Sequence, residues 1–180
     1  TKESADLFLI LFIQLLKDGG RAGIVLPDGS LTGDGVKQRV RQKLLEDCNV
    51  HTIVRLPQSV FAPYATVNTN LIFFEKGKPT KEIWYYEHTL PEGQKAYSKT
   101  KPIRIEEFEP VKQWWQNRKE SESAWKVSMQ TIIDRNYDLD IKNPNKVVEE
   151  VVYDRKAIIN KIESNQSQIS KILEELKSLA

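Results

Sequence analysis

The sequence has one cysteine, one methionine and two histidines in 180 residues. Each scarcity excludes something. A single thiol, Cys48, allows no internal disulfide, which fits a reducing, cytosolic setting. It stands in Leu44-Leu45-Glu46-Asp47-Cys48-Asn49-Val50 with no metal ligand beside it, so it reads as a small buried hydrophobe. His51 and His88 lie too far apart to make a metal-spaced cluster. No apolar run is long enough to span a bilayer, since Leu7 to Leu16 is broken by Gln14. There is no Gly-x-Gly-x-x-Gly, no phosphate-binding Gly-x-x-x-x-Gly-Lys-Ser/Thr, and no nucleophile beside a base at a recognisable spacing. Gly33-Asp34-Gly35 does not directly follow the first strand of a βαβ unit and reads as a loop. The net charge of +2 permits DNA contact without arguing for it. The chain opens at Thr1 inside what reads as a helix start, and its only methionine is Met129. It reads as a piece of a longer protein.

What is present is organised around Leu56 to Lys76. A turn-rich loop carries Phe61 and Tyr64 on either side of Ala62-Pro63 and runs into a β-rich stretch from Val67 to Glu75. Loops fixed by rigid strands are common sites for binding groups. Two readings of Phe61 stand open: a presented ring, or a plug for the core beneath the loop.

Upstream, Ala5 to Lys17 has near-continuous helix-spaced apolar residues, stopped by Asp18-Gly19-Gly20. An unalternating strand, Arg21 to Leu26, follows at once. That order predicts the helix-to-strand step of a parallel α/β sheet buried on both faces. Ser30 to Asp34 reads as a loop. Val36 to Leu45 reads as a helix with an outer basic face of Lys37, Arg39, Arg41 and Lys43. Asn49 to Leu56 is the next strand. Only about ten residues separate it from the Val67–Glu75 strand, too few for a parallel crossover, so that strand should run antiparallel to a neighbour. Ile83 to Glu87 is a further strand, and Thr89 to Lys101 a polar surface loop. Ile105 to Arg118 contains a helix, Trp125 to Val127 an extended segment, and Ser128 caps a short helix through Ile133. Trp114, Trp115 and Trp125 suggest a packing cluster. The expected divisions are residues 1–88, 89–145 and 146–180.

From Val147 to Leu179 there is no glycine or proline. Val151, Ile158, Asn165, Ile172 and Leu179 are spaced seven apart, and Arg155, Ile162, Ile169 and Leu176 form a second such series. This is a heptad seam, with Asn165 as the polar register-setting member. A lone apolar stripe must be covered, and another chain is the expected cover.

Three segments together carry a resemblance. They are Phe8 to Pro27, the Leu56–Lys76 loop and strand with its Phe-Ala-x-Tyr-x-x-Val-Asn-Thr-Asn-Leu-Ile-Phe-Phe string, and Tyr137 to Asn145 with Leu-Asp-Ile-Lys-Asn-Pro-Asn. Nearly the whole chain resembles the modification (methyltransferase) subunit of type I restriction-modification enzymes, an N6-adenine DNA methyltransferase. The resemblance implies an α/β fold: the C-terminal half of a Rossmann-like S-adenosylmethionine-dependent sheet with an antiparallel last strand, plus a long C-terminal helix. It implies transfer of a methyl group from S-adenosylmethionine to an adenine flipped out of duplex DNA. By that match Phe61, with Tyr64 as the fallback, stacks on the flipped base, and Phe8 lies against the cofactor. Ile158, Ile162, Asn165, Ile169, Ile172 and Leu176 face the specificity subunit, and a restriction subunit completes the system. The family's glycine-rich cofactor loop and Asn/Asp-Pro-Pro-Phe/Tyr motif are absent from these 180 residues, so the chain alone is expected to be inactive. Two other readings compete: a non-enzymatic assembly module acting through its C-terminal helix, and half of a different doubly wound enzyme.

Overall fold

The computed structural model describes residues 3–146 and 155–178. The chain divides into two compact units, Thr1–Lys146 and Val147–Ala180.

The first unit is built on a sheet of five strands among the described residues. The chain begins with α1 (Ser4–Leu15), which buries Asp6, Leu9 and Ile13 on one face. Leu7, Phe8, Leu11 and Leu15 occupy the other and are exposed. The near-continuous apolar run of this helix therefore serves two faces. Gly19, at φ +77°, turns the chain into β1 (Arg21–Pro27), and its N–H donates to the Lys76 carbonyl at 2.8 Å. Next come α2 (Asp28–Leu31), α3 (Val36–Asp47), β2 (Cys48–Arg55), β3 (Thr69–Lys76) and β4 (Glu82–Glu87). A 3-10 turn at Ile105–Phe108 leads into α4 (Glu109–Gln116), β5 (Ala124–Ser128) and α5 (Met129–Asp134). The Ser128 side chain accepts from the Thr131 N–H and caps α5, as its position before the helix predicts.

The strand order is β1-β3-β2-β4-β5. β3 lies antiparallel between β1 and β2, so those two share a direction, and β4 runs parallel to β2. β5 closes the far edge antiparallel to β4. The short β2–β3 connection thus produces the antiparallel pairing that its length demands. Residues 28–31, expected within a loop and its approach, instead form the one-turn α2.

Further expectations change. β1, at the edge of the sheet, is not buried on both faces: Val25 is 48% exposed. And Arg41 is not on a solvated face. It is 2% exposed and donates to four carbonyls: Tyr137 (2.6 Å), Ser30 (3.4 Å), Thr32 (2.7 Å) and Gly33 (2.5 Å). A guanidinium, with five N–H donors on a long stem, has the reach to serve all four.

The two sheet faces carry different cores. One joins Leu9, Ile13, Leu44, Ile53, Phe74 and Tyr85, among others. The other is smaller, with Val54, Leu56 and Val111 buried and Phe73, Tyr86 and Phe108 packed around them. Period-two alternation along β4 sends Trp84 and Tyr85 to opposite faces. Accordingly Trp84 meets Trp114, and Trp114 meets Trp115 edge-on, with the Arg118 guanidinium 4.6 Å from the Trp115 ring. Trp125, expected in the same cluster, instead stacks on Tyr85 at 5.3 Å on the other side, because it packs into the larger core. Gly23 makes room for Phe73, whose ring would lie 3.1 Å from any added Cβ. Cys48 is fully buried, and burial pushes its thiol up to about 11, so it stays protonated at neutral pH.

The second unit contains α6 (Arg155–Ser178). Ile158, Ile162, Asn165, Ile169, Ile172 and Leu176 are exposed on it. Val151 and Leu179 of the predicted seam lie outside the described residues.

Candidate functional site

In open α/β sheets, ligands bind beyond the carboxyl ends of the parallel strands. Here those ends are Pro27 of β1, Arg55 of β2 and Glu87 of β4. Each is followed by a polar or loop segment, and together they gather a connected set of groups.

Asp28, immediately after β1, accepts from Asn70 Nδ2 at 2.7 Å. Arg55 lies 3.8 Å from the other Asp28 oxygen and 2.7 Å from Asp140, and donates to the Ile141 carbonyl at 3.3 Å. Glu87 accepts from Asn143 at 2.9 Å and pairs with Lys146 at 3.0 Å. The Leu-Asp-Ile-Lys-Asn-Pro string is thus pinned across the carboxyl ends of β2 and β4. Asn70 is fully buried, and its Oδ1, like Thr69 Oγ1, has no hydrogen-bond partner among the described residues. Buried polar atoms without partners are uncommon in folded proteins.

Burial would raise the Asp140 carboxyl, but bonds to Lys142 and Arg55 outweigh it and hold the pKa below the usual range. A depressed folded pKa gives stability that is complete above the unfolded value of about 3.9 and is lost as pH falls through the folded one. Asp140→Asn should therefore cost about 1–2 kcal/mol at pH 7. The cost should shrink progressively below about pH 4, which urea titrations at the two pH values will measure.

The loop bearing the two aromatics leaves this same end of the sheet. Its base is closed by Leu56 N–H to the Thr69 carbonyl (3.0 Å) and Asp28 N–H to the Asn68 carbonyl (3.0 Å). Inside it, Ala62 and Ala65 donate to the Ser59 and Phe61 carbonyls. Phe61 is 42% exposed and Tyr64 is 87% exposed. Val60, not Phe61, packs against the smaller apolar cluster.

Phe8 sits toward the same end. Lys37 bridges Glu3 (2.7 Å) at the start of α1 and the Gly29 carbonyl (2.6 Å) just past β1, so the N-terminal turns of α1 lie beside the carboxyl end of the sheet. Phe8 is 56% exposed. Phe61, Tyr64 and Phe8 are thus brought to one end of the sheet. The heptad residues belong to the separate second unit. Residue patterns alone do not reveal Asp28, Arg55, Asn70 and Asp140. Their one sequence signal is the polar Asn68-Thr69-Asn70 entering an otherwise apolar strand. Among the described residues no group of acidic, histidine and cysteine side chains is arranged to hold a metal ion, and no helix is long and apolar enough to cross a membrane.

Comparison with known proteins gives concordant matches. The family model for N-6 DNA methylases matches residues 1–151. The EcoEI methylase subunit of the type I restriction enzyme from Escherichia coli is 48% identical over 186 residues, covering 99% of this chain and 38% of that protein. A crystal structure of a modification subunit from Vibrio vulnificus YJ016, described as part of a type I restriction enzyme, is 45% identical. It has a TM-score of 0.77 and covers 81% of this chain and 33% of its own. A structure from work on complex assembly in a type I restriction-modification system is 40% identical with a TM-score of 0.77, covering 99% of this chain and 40% of that one. The chain spans well under half the length of these relatives.

Proposed function

Since the chain belongs to the N-6 DNA methylase family, we propose that it is the C-terminal part of a type I modification subunit that methylates adenine N6 in duplex DNA. S-adenosylmethionine supplies the methyl group when bound. The observation that carries the reading is the Phe61 loop, which carries exposed rings and whose base is closed at the carboxyl end of the sheet by Leu56 N–H to Thr69 and Asp28 N–H to Asn68. The exocyclic amine of adenine is out of reach inside the stack, so the base must be extruded. An exposed ring held on a strand-anchored loop can receive it, and stacking stabilises the extruded base by about 1–3 kcal/mol. Phe61 takes that role by its place in the loop-and-strand string, with Tyr64 as the fallback. Phe8 offers its open face to the adenine ring of the cofactor. The chain's 180 residues include no Asn/Asp-Pro-Pro-Phe/Tyr string to hold the target amine, so alone it is expected to transfer nothing. A cytoplasmic setting suits both the reaction and the single protonated thiol.

The test is the full-length protein with its partner subunits, given labelled S-adenosylmethionine and unmodified duplex DNA. Label recovered as N6-methyladenine is expected. Label in cytosine, or none with a working control enzyme, would overturn the proposal.

The second unit serves assembly. Ile158, Ile162, Ile169, Ile172 and Leu176 leave an apolar seam in water, with Asn165 within it, and we assign that seam to helices of the specificity subunit. Placing aspartate at both Ile162 and Ile169 should weaken binding of that subunit more than about 100-fold. Gel filtration of the full-length pair reads this directly, and the melting of the first unit should not move.

A further inference from the structure

The segment 89–101, polar enough to read as an unattached surface loop, contains a side chain that is 3% exposed, Tyr97. Its phenol donates to Glu107 Oε2 at 2.5 Å and lies 3.4 Å from His88 Nε2. The His88 ring in turn stacks on Phe108 at 4.8 Å with the planes 8° apart. Glu107 is held from its other oxygen by the Arg104 N–H at 2.9 Å. His88 is tied to the sheet by its own N–H, which donates to the Arg55 carbonyl at 2.9 Å. Burial lowers the His88 pKa, and burial with Glu107 raises that of Tyr97, so at neutral pH both are uncharged. With the phenol proton directed to Glu107, the histidine can supply its Nε2 proton to the phenol oxygen, completing a chain of three groups.

This chain reaches the loop described above. The Tyr97 backbone N–H donates to Ser59 Oγ at 2.8 Å, and the Ser59 carbonyl accepts from the Ala62 N–H at 3.0 Å. Ser59 therefore joins the anchored tyrosine to the turn that carries Phe61. Between the two segments lies a cavity of about 340 Å³ lined by Pro57, Ser59, Ala62, Thr66, Leu90 and Lys95. With open space beside it, the loop is not fixed by dense packing on that side, which leaves the hydrogen bond to fix its height.

We propose that Tyr97 is a positioning residue: locked by Glu107 and His88, it sets the Phe61 loop through Ser59 so that the ring is in place when the target base is extruded. The inference rests on Phe61 being the stacking residue. A displacement of about 1 Å at such a site lowers turnover by up to 100-fold.

The experiment uses the full-length protein with its partner subunits and compares Ser59→Ala, Ser59→Thr, Tyr97→Phe and Phe61→Ala. Ser59→Ala and Tyr97→Phe should each lower kcat for DNA methylation about tenfold, with KM for S-adenosylmethionine within about twofold. Ser59→Thr, which keeps the acceptor oxygen, should recover most of the rate. The Phe61→Ala/Ser59→Ala double variant should be no slower than Phe61→Ala, since the serine acts only through that ring. Should Tyr97→Phe fold poorly, the half-buried Ser59 variants carry the test. A Ser59→Ala rate within twofold of the parent, or multiplicative losses in the double variant, overturns the positioning role while Phe61→Ala stays slow. A Phe61→Ala enzyme at the parental rate overturns the stacking role itself, and the positioning role with it.

Discussion

Truncating Phe61 to alanine in the full-length protein should slow methyl transfer to duplex DNA by about 10- to 100-fold while shifting the melting temperature by no more than about 2 °C. The argument for the rate rests on the chemistry of extrusion. Flipping sacrifices stacking inside the duplex, and a protein ring replaces it at about 1–3 kcal/mol per base. Where extrusion limits the reaction, removing that ring lowers kcat directly. The argument for stability rests on exposure. At 42% exposed, Phe61 has less apolar packing to forfeit than a core residue. A core phenylalanine would cost about 3–5 kcal/mol on truncation. Phe61→Trp should retain activity, since any flat ring can stack. Tyr64→Ala reports on the second ring. A large loss there, with Phe61→Ala unaffected, would exchange the two roles.

The largest stability effect should come from Arg41→Met. Arg41 looks like one of a row of helical surface cations, but its guanidinium closes the structure around α2 and the chain after α5. Ser30, Thr32 and Gly33 place their carbonyls on it from one side and Tyr137 from the other. Tyr137 and its neighbour Asn136 both have positive φ, at 60° and 55°, an unfavourable pair for side-chain-bearing residues that needs outside support. Burial lowers the Arg41 pKa, while Asp138, Asp6 and Asp34 raise it and keep the cation matched. Methionine has similar length and no donors. It would remove the donors to these four carbonyls and a positive charge near Asp138, Asp6 and Asp34. Charge-assisted bonds contribute about 1.5–3 kcal/mol each and do not add fully, so a loss of about 4 kcal/mol or more is expected. That is a large share of the stability of an ordinary domain. Thermal unfolding of the chain should move down by about 10 °C or more. Arg39→Met, on the exposed side of the same helix, should leave the transition where it is. Equal behaviour of the two variants would refute the account given for Arg41.

Local chemistry determined a good deal on its own. The Gly-Gly stop after α1, the strand that follows it, and the antiparallel run of β3 were all legible. They depend on residues close in the chain: turn glycines, β-branched runs, and a connection too short to cross over. The loop aromatics and the heptad spacing were legible for the same reason. What local pattern could not show is which copy of a repeated feature is buried. Lys37, Arg39, Arg41 and Lys43 read alike along one helix, and only the approach of Ser30, Gly33 and Tyr137 from distant segments makes Arg41 a core residue. Val60 and Phe61 are adjacent, and only the curvature of the loop decides that the valine faces inward. Asp28, Arg55, Asn70 and Asp140 come from four separate parts of the chain, and only strand order brings them together. Tyr97 sits in a segment with the composition of a solvated loop, and its burial depends on Glu107 and His88 being there to pair it. The sequence by itself thus determined most of the elements and the family. The tertiary structure decided which side chains are presented and which are enclosed, because burial and pairing are properties of segments meeting across the fold.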